Sequence, residues 1–312
     1  MQWLDAGAVS AATPYPALID ALAEAFRKKV SAPPRWHHEI QNDDRTVTTL
    51  LVMPCWQAGG RFGVKLVTVV PANSARGLPT VQAAYLVGSS VNGSFDALLD
   101  GTELTLRRTA AASALASRYL SRHDSQRLLI VGSGNLAAPL ARAHRAVRSI
   151  REIRIWSRSR ENATRLAESL AGELKIPVAG VADLAESTSW ADIISCATLS
   201  TEALVLGRNL RPGQHLDLVG AYTPSMRETD DEAVARARIF VDSRDSALAE
   251  AGDLIQALKS GAITAADIRG ELAELARNEI AGRQAGSDIT LFKSVGLALE
   301  DLAAAELALD SH

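Results

Sequence analysis

Cysteine is scarce in this sequence, and its placement does not indicate disulfides. The 312 residues include two cysteines, Cys55 and Cys196, which stand far apart in apolar, strand-like segments. This pattern predicts buried, reduced thiols and a cytoplasmic location. His37 and His38 are adjacent and would point to opposite sides of a strand, and no cysteine–histidine cluster has the spacing of metal ligands. We therefore predict no metal site.

Long apolar runs and an excess of charge of one sign are also missing. No uninterrupted apolar stretch reaches about 18 residues, the length of a membrane-spanning helix, and residues 1–15 lack the basic and apolar regions of a signal peptide. The 33 basic and 36 acidic residues give a formal net charge of −3. We therefore expect no binding to membranes or nucleic acid, and small molecules as partners.

The sequence does contain enough apolar material for a core of ordinary size, in two domains. Of its residues, 47% are hydrophobic and 22% are charged. Apolar spacing from Pro14 to Lys29 predicts a helix, and the segments rich in Val, Leu and Thr that follow predict a sheet. The predicted strands are Arg45–Met53, Arg61–Val70 and Pro79–Val87, with an alanine-rich helix after them at Thr105–Leu120.

A polar break at 121–126 precedes a regular alternation of strand and helix patterns. The predicted strands are Leu128–Val131, Glu152–Trp156, Pro177–Val181, Asp192–Ala197, His215–Val219 and Arg238–Val241. Such alternation predicts an α/β fold with a Rossmann-type, doubly wound parallel sheet, beside a second domain of α+β type. We predict that residues 121–290 form the Rossmann domain. Residues 1–120 form the other domain together with 291–312, where a last helix at Leu291–Leu307 packs back on it.

A dinucleotide-binding fingerprint opens the predicted Rossmann domain. Gly132, Gly134 and Ala137 follow the first of these strands and lead into a predicted helix that begins at Asn135. Gly132 permits a tight turn and Gly134 permits close approach of a pyrophosphate, which the start of the helix at Asn135 and Leu136 stabilises. The alternative is a glycine turn without a ligand.

The end of the second strand of this domain indicates which dinucleotide binds. Ser157, Arg158, Ser159 and Arg160 stand where an NAD enzyme presents an acid to the ribose hydroxyls. Guanidinium forks and hydroxyls suit a 2′-phosphate, so NADPH is the predicted cofactor and NADH is less favoured. The alternative is that Arg158 and Arg160 are a solvated pair that opens the next helix.

Basic residues also occur where the first domain should be apolar. Arg45 shares a predicted strand face with Val47, and Lys65 lies on an apolar face of the next strand. Arg107 and Arg108 stand near a helix start, where the helix dipole disfavours a cation unless an anion is near. Arg45, Lys65 and one of this pair are candidates for a pocket that binds a substrate carboxylate. For each of them, a structural salt bridge or a surface position is the alternative.

Several longer segments resemble one family. They are Lys65 in FGVKLVTVVP, Leu78-Pro-Thr-Val, Asp100-Gly-Thr, Arg108-Thr-Ala-Ala, Gly132-Ser-Gly, Pro212-Gly, Gly220-Ala-Tyr-Thr-Pro-Ser-Met-Arg-Glu228 and Leu291-Phe-Lys-Ser-Val-Gly-Leu-Ala-Leu-Glu-Asp301. In this order they are similar to the ornithine cyclodeaminase/mu-crystallin family. The resemblance implies a homodimer whose first domain binds the substrate and the partner subunit.

The resemblance also implies roles for individual residues. It implies that Arg45, Lys65 and Arg108 hold the substrate carboxylate near a nicotinamide, with Lys65 or a bound water as the candidate proton donor. The residues that it assigns to the cofactor are Thr198, Val219, the following Gly220, and Ser294.

Two departures indicate a branch of the family. Tyr222 stands where cyclodeaminases carry an aspartate for the substrate amine, and Ser157-Arg158 stands where they carry an acid for NAD. The chain thus resembles NADPH-dependent reductases of cyclic ketimine acids, with pyrroline-2-carboxylate or piperideine-2-carboxylate as the predicted substrate. Two alternatives stay open: an NAD-dependent ornithine cyclodeaminase that forms proline and ammonia, and a mu-crystallin-like protein that binds NADPH and a small carboxylate without turnover.

Overall fold

The structure, a computed structural model, describes residues 1–311, with the backbone alone for Ser74, and divides into two compact units. The first unit comprises Met1–Thr109 and the segment from Leu297 onward, and the second comprises Ala110–Gly296. The sequence predicted limits at 120/121 and 290/291, whereas the contacts assign 110–120 and 291–296 to the second unit. The predicted and observed limits differ because the helix Gly101–Leu120 crosses the first limit. The strand Thr290–Lys293, at the second limit, belongs to the sheet of the second unit.

The first unit is a mixed sheet with helices. Its elements are β1 (Gln2–Leu4), α1 (Ala6–Ala12), α2 (Tyr15–Arg27), β2 (Trp36–Gln41), β3 (Val47–Trp56), β4 (Arg61–Val69), β5 (Val81–Ser89), β6 (Phe95–Asp100), the first part of α3 (Gly101–Leu120), and a last helix (Ala298–Asp310). Among the described residues the sheet has six strands, in the order β1-β6-β5-β4-β3-β2. β1 runs parallel to β6, and the other neighbours are antiparallel.

Alternation along these strands decides which side chains enter the core of the first unit. The register pairs Met53 with Lys65, Lys65 with Tyr85, and Tyr85 with Leu99, so all of them lie on one face of the sheet. The last helix packs on α2 and contacts β3 and β4. The four side chains paired in this register are buried. A β-carbon at Gly63 would collide with the Tyr85 hydroxyl, which explains a glycine inside β4. A lysine therefore lies among apolar side chains on this face of the sheet.

The second unit is a parallel sheet with connecting helices. Its elements are β7 (Arg127–Val131), α4 (Ala137–Val147), β8 (Glu152–Trp156), α5 (Arg160–Leu174), β9 (Val178–Val181), α6 (Leu184–Trp190), β10 (Ile193–Cys196), β11 (His215–Leu218), α7 (Asp231–Ala235), β12 (Arg238–Val241), α8 (Arg244–Glu250), α9 (Gly252–Ser260), β13 (Ile268–Glu271), α10 (Leu272–Ala276) and β14 (Thr290–Lys293). Within residues 1–311 the order of its eight strands is β13-β12-β14-β11-β10-β7-β8-β9. The direction of winding reverses between β7 and β10, as in a doubly wound sheet. The predicted fold class is confirmed.

The predicted last helix was wrong over its first residues. Thr290–Lys293 is a strand, paired with β11 on one side and β12 on the other, and the helix begins only at Ala298. Each residue of this strand is buried, as is usual for an interior strand of a parallel sheet. A short apolar run has no periodicity that separates such a strand from a buried helix, so the sequence pattern was ambiguous here.

Candidate active site

A buried lysine and a buried arginine of the first unit share one carboxylate. Lys65, on β4, is 1% exposed, and its Nζ lies 2.7 Å from Oδ2 of Asp301 in the last helix. Nε of Arg108, on α3, donates to Oδ1 of Asp301 at 2.8 Å, and its Nη1 donates to Oε2 of Glu300 at 2.6 Å. Both acids are fully buried. They stabilise two cations whose burial would otherwise be costly.

The surroundings of Lys65 lower the pKa of its ammonium group. Burial lowers the pKa of Lys65 to about 8, and Arg108 adds to this effect while Asp301 opposes it. An ammonium carries three donor hydrogens, and Asp301 is the partner that the described residues provide. Lys65 therefore has donors for an anion and a pKa suited to proton transfer.

The arginines predicted beside Lys65 have different positions. Arg45 is exposed in the turn between β2 and β3, with a φ angle of 62°, so its predicted place on a strand was wrong. The strand pattern begins at Val47, and Arg45 occupies a left-handed turn position. Arg107 donates from Nε to the Thr13 carbonyl at 3.0 Å and from Nη1 to Oγ of Ser10 at 3.0 Å. Of the two helix arginines, Arg108 is the one beside Lys65.

Another cation near Lys65, Arg35, was not predicted from the sequence. This residue precedes Trp36, which pairs with Val52, so it lies at the level of Met53, the partner of Lys65 in β4. The positive charge of Arg35 also lowers the pKa of Lys65. The one sequence signal was an arginine directly after two prolines at the start of a strand, and such a signal does not indicate a ligand.

The predicted fingerprint of the second unit lines a cleft of about 390 Å³ at the carboxyl ends of β7, β8 and β10. Gly132 has a φ angle of 121°, and its N–H donates to the Trp156 carbonyl at 2.8 Å. A β-carbon at Gly132 would lie 2.7 Å from the carbonyl oxygen of Ala197, whereas at Gly134 nothing would lie within 4 Å. The loop is therefore packed on its protein side and open toward the cleft, which fits a dinucleotide pyrophosphate.

The helix after this loop begins two residues later than the sequence predicted. α4 starts at Ala137, and Asn135 and Leu136 form the turn that leads into it. The first backbone N–H groups of a helix have no partner inside the helix, and together with the helix dipole they attract an anion. Asn135 and Leu136 thus lie where phosphate-binding amides are expected.

The residues after β8 differ in their relation to the cleft. Ser157 and Arg158 line it, and Oγ of Ser133 donates to Oγ of Ser157 at 2.8 Å, which joins two of the cleft loops. Arg158 is exposed, so its guanidinium is accessible to a ligand. Arg160 is the first residue of α5 and, within residues 1–311, is not among those that line the cleft.

Four further predicted residues lie at the carboxyl ends of neighbouring strands. Thr198 follows β10 and lines the cleft. Val219 and Gly220 follow β11, and their N–H groups donate to the Cys196 carbonyl at 2.8 and 3.3 Å. Ser294 follows β14 and donates its N–H to the Leu218 carbonyl at 3.2 Å. Val219 and Ser294 are buried, so of these residues Thr198 has direct access to the cleft.

A sequence model of the ornithine cyclodeaminase/mu-crystallin family matches residues 4–312. The chain belongs to this family. The resemblance predicted from the sequence is therefore confirmed, and it covers nearly the whole chain.

Relatives within the family have named activities. The chain is 43% identical to the Delta(1)-pyrroline-2-carboxylate reductase of Paracoccus denitrificans, covering 81% of this chain and 80% of that protein. It is 37% identical to the ketimine reductase mu-crystallin of Rattus norvegicus, covering 83% and 79%. A solved structure of the Thermococcus litoralis Delta(1)-pyrroline-2-carboxylate reductase, in complex with NADH and L-proline, superposes with a TM-score of 0.93 at 34% identity, covering 100% and 97%. The predicted enzyme class, an oxidoreductase, is confirmed.

This family member contains a buried ionic cluster that the sequence argument did not identify. Oε1 of Glu228 accepts hydrogen bonds from the N–H of Thr198 at 2.7 Å and from its hydroxyl at 2.8 Å. Nζ of Lys293 donates to the carbonyl of Gly220 and lies 3.7 Å from Oδ2 of Asp253. Glu228, Lys293 and Asp253 are fully buried. Glu228 is the last residue of one of the segments that resemble the family, but its position in the sequence does not indicate which group it bonds.

Further buried polar side chains of the second unit lie on α4, β10, β11 and β14. Oδ2 of Asp217 accepts from Oγ of Ser195 at 2.6 Å and lies 3.2 Å from Nε2 of His144. His215 contacts Oγ1 of Thr290 through Nδ1 at 3.0 Å, and burial lowers its pKa to about 3, so it is neutral. These contacts pair one nitrogen of each histidine and one oxygen of Asp217, while Nδ1 of His144, Nε2 of His215 and Oδ1 of Asp217 have no hydrogen-bond partner within residues 1–311.

Residues 1–311 contain no group of three or more His, Cys, Asp or Glu side chains that could hold a metal ion. No helix in this range is long and apolar enough to cross a membrane.

Proposed function

We propose that this chain reduces a cyclic ketimine acid, pyrroline-2-carboxylate or piperideine-2-carboxylate, with NADPH. The observation that carries the proposal is the buried Lys65–Arg108 pair, which brings two cationic donor groups together beside Asp301 and is suited to an anionic carboxylate. The reductase relatives, one of them with NADH and L-proline bound, support a cyclic imino acid as substrate and a nicotinamide cofactor.

In this proposal the basic residues orient the substrate. Lys65 and Arg108 bind the substrate carboxylate, and Arg35 replaces Arg45 as the third cation because Arg45 is exposed in a turn. Lys65, or a water bound to it, donates a proton to the imine nitrogen, which makes the imine carbon a better hydride acceptor. Fixing the carboxylate also removes much of the entropic cost of alignment.

The cleft of the second unit holds the cofactor in this proposal. The reduced nicotinamide supplies the hydride when it is bound. Gly132, Gly134, Asn135 and Leu136 bind the pyrophosphate, and Ser157 and Arg158 bind the 2′-phosphate, with Arg160 outside the cleft. The residues placed near the other end of the cofactor are Thr198, Val219, Gly220 and Ser294.

The proposal is tested by following NADPH absorbance when the purified protein is given pyrroline-2-carboxylate or piperideine-2-carboxylate. Stoichiometric oxidation of NADPH, faster than that of NADH, is the expected result. Parallel reactions contain ornithine with NAD, because ammonia release without net redox change would identify a cyclodeaminase instead. NADPH binding without oxidation of any imine would identify a binding protein.

The activity is expected to fall as the pH rises through about 8. Lys65 carries its proton below its pKa of about 8 and loses it above, so both carboxylate binding and proton donation weaken in alkaline solution. The measurement is kcat/KM for the ketimine across the pH range. Lys65→Arg keeps the charge but does not titrate there, so its residual activity should lack the alkaline decline; an unchanged decline would assign it to another group.

We also propose a homodimer formed through the first sheet. The face opposite Lys65 exposes apolar side chains, among them Trp36 at 58% and Leu66 at 45%. An exposed apolar patch of this kind is typical of a protein interface. Sedimentation should give twice the chain mass of 33.1 kDa. Leu66→Lys should yield monomers, whereas Leu248→Lys, a change at an exposed leucine of the second unit, should not.

We place this activity in the cytoplasm. Within the described residues, Cys55 and Cys196 are free and buried. Burial raises the pKa of the Cys55 thiol to about 12 and also raises the pKa of the Cys196 thiol. Unpaired, protonated thiols suit a reducing compartment.

A further inference from the structure

Glu228 lies behind the cleft and holds its wall. Thr198 and the two residues after it line the cleft, and Thr198 is fixed by two hydrogen bonds to Oε1 of Glu228, from its N–H at 2.7 Å and its hydroxyl at 2.8 Å. Glu228 itself is fully buried. Bonds to an ionised carboxylate are about twice as strong as neutral ones. The ionised carboxylate therefore determines how firmly this wall is held.

The residues around Glu228 leave space for its contact with Thr198 and fix the backbone on both sides of it. A β-carbon at Gly220 would collide with Oε1 of Glu228 and with the Thr198 carbonyl, so glycine is required where the two elements meet. The N–H of Glu228 donates to Oδ1 of Asp253 at 2.8 Å, which fixes the backbone that carries the carboxylate. Lys293 donates to the Gly220 carbonyl and so fixes the backbone at Gly220, on the other side of this contact.

The charges around Glu228 allow it to change protonation in the physiological range. Burial raises the pKa of Glu228 to about 7; Lys293 opposes the rise and Asp253 adds to it. Burial and the negative charge of Glu228 both raise the pKa of the Cys196 thiol, so the thiol stays protonated. Oε2 of Glu228 has no hydrogen-bond partner in residues 1–311 and is the atom that can take the proton without breaking the bonds to Thr198.

We infer that Glu228 is a positioning residue for the nicotinamide cofactor, and that its ionised form fixes Thr198 in the geometry that binds the cofactor. The inference rests on the proposed cofactor and adds a pH dependence to its binding. Protonation weakens the two bonds that Thr198 donates, so the wall becomes mobile and the free protein is less preorganised for the ligand. Cofactor affinity then rises as the solution becomes more alkaline.

The test is the Kd of NADPH without substrate, measured by fluorescence at about pH 6 and pH 8.5. The wild type should bind roughly tenfold more tightly at the higher pH, the difference expected from strengthening two hydrogen bonds. Glu228→Gln cannot ionise at this position, so it should bind NADPH weakly at both pH values. The small pH dependence that remains should come from titration of NADPH itself, which affects the wild type equally. Glu168→Gln, at an exposed glutamate of α5, should behave like the wild type. Equal pH dependence in wild type and Glu228→Gln would overturn the inference.

A second measurement separates this inference from the proposed function. Hydrogen exchange at the Thr198 amide, corrected for its intrinsic pH dependence, needs neither cofactor nor activity. The wild type should show greater protection at pH 8.5 than at pH 6, and Glu228→Gln should not. Equal protection of the wild type at both pH values would overturn the inference whatever NADPH does. Failure of the wild type to bind NADPH or NADH at any pH, with the exchange effect present, would instead overturn the proposed cofactor and with it the role of Glu228 in binding it.

Discussion

Lys65→Met is expected to lower kcat/KM for the ketimine about a thousandfold. In the proposed mechanism, each charge-assisted bond from Lys65 to the substrate carboxylate contributes roughly 1.5–3 kcal/mol, and general-acid catalysis by Lys65 typically contributes about 10²–10⁴-fold. Methionine has a similar length but offers neither a donor nor a proton. The effect is large because Lys65 is buried at 1% exposure, so solvent does not screen its charge or replace it.

Steady-state kinetics together with thermal unfolding would measure this effect on folded protein. Removing Lys65 leaves Asp301 with Arg108 as its partner, so some loss of stability is expected as well. Lys29→Met, at an exposed lysine, is the matched control and should retain wild-type turnover. Wild-type turnover in folded Lys65→Met would remove this residue from the mechanism.

The sequence predicted the parts of the structure that local periodicity encodes. The strand–turn–helix setting of Gly132 and Gly134 was predicted from neighbouring residues alone, and both glycines line the cleft of the second unit. The spacing of two along β4 placed Lys65 on the apolar face, where the structure confirms its burial. Such features depend on contacts within one element or between consecutive elements.

Contacts between distant parts of the chain were not predictable in this way. Asp301 and Glu300 meet Arg108 from a helix nearly two hundred residues away, and no local pattern relates them. Arg35 was missed and Arg45 was misplaced because the alternation does not show where a strand ends and its turn begins. The Glu228–Thr198 contact likewise depends on loops after different strands of the second sheet.

Arg158→Asp is expected to shift cofactor preference from NADPH toward NADH by about a hundredfold in the ratio of kcat/KM values. In the proposed NADPH complex, the substitution removes a charge-assisted bond of roughly 1.5–3 kcal/mol to the 2′-phosphate and adds repulsion, while a carboxylate at this strand end suits the ribose hydroxyls of NADH. Arg158 is exposed, so its contribution should weaken as salt is raised.

Arg160→Asp is the matched control for this change, because it removes the same charge two residues along, outside the residues that line the cleft. It should leave the ratio within a few-fold of the wild type, since exposed charges that lie away from a ligand contribute little. Initial rates with each cofactor at saturating ketimine give both ratios. Equal effects of the two substitutions would mean that a diffuse basic surface, not Arg158, attracts the phosphate; no effect of either would mean that the discrimination between NADPH and NADH lies elsewhere in the cleft.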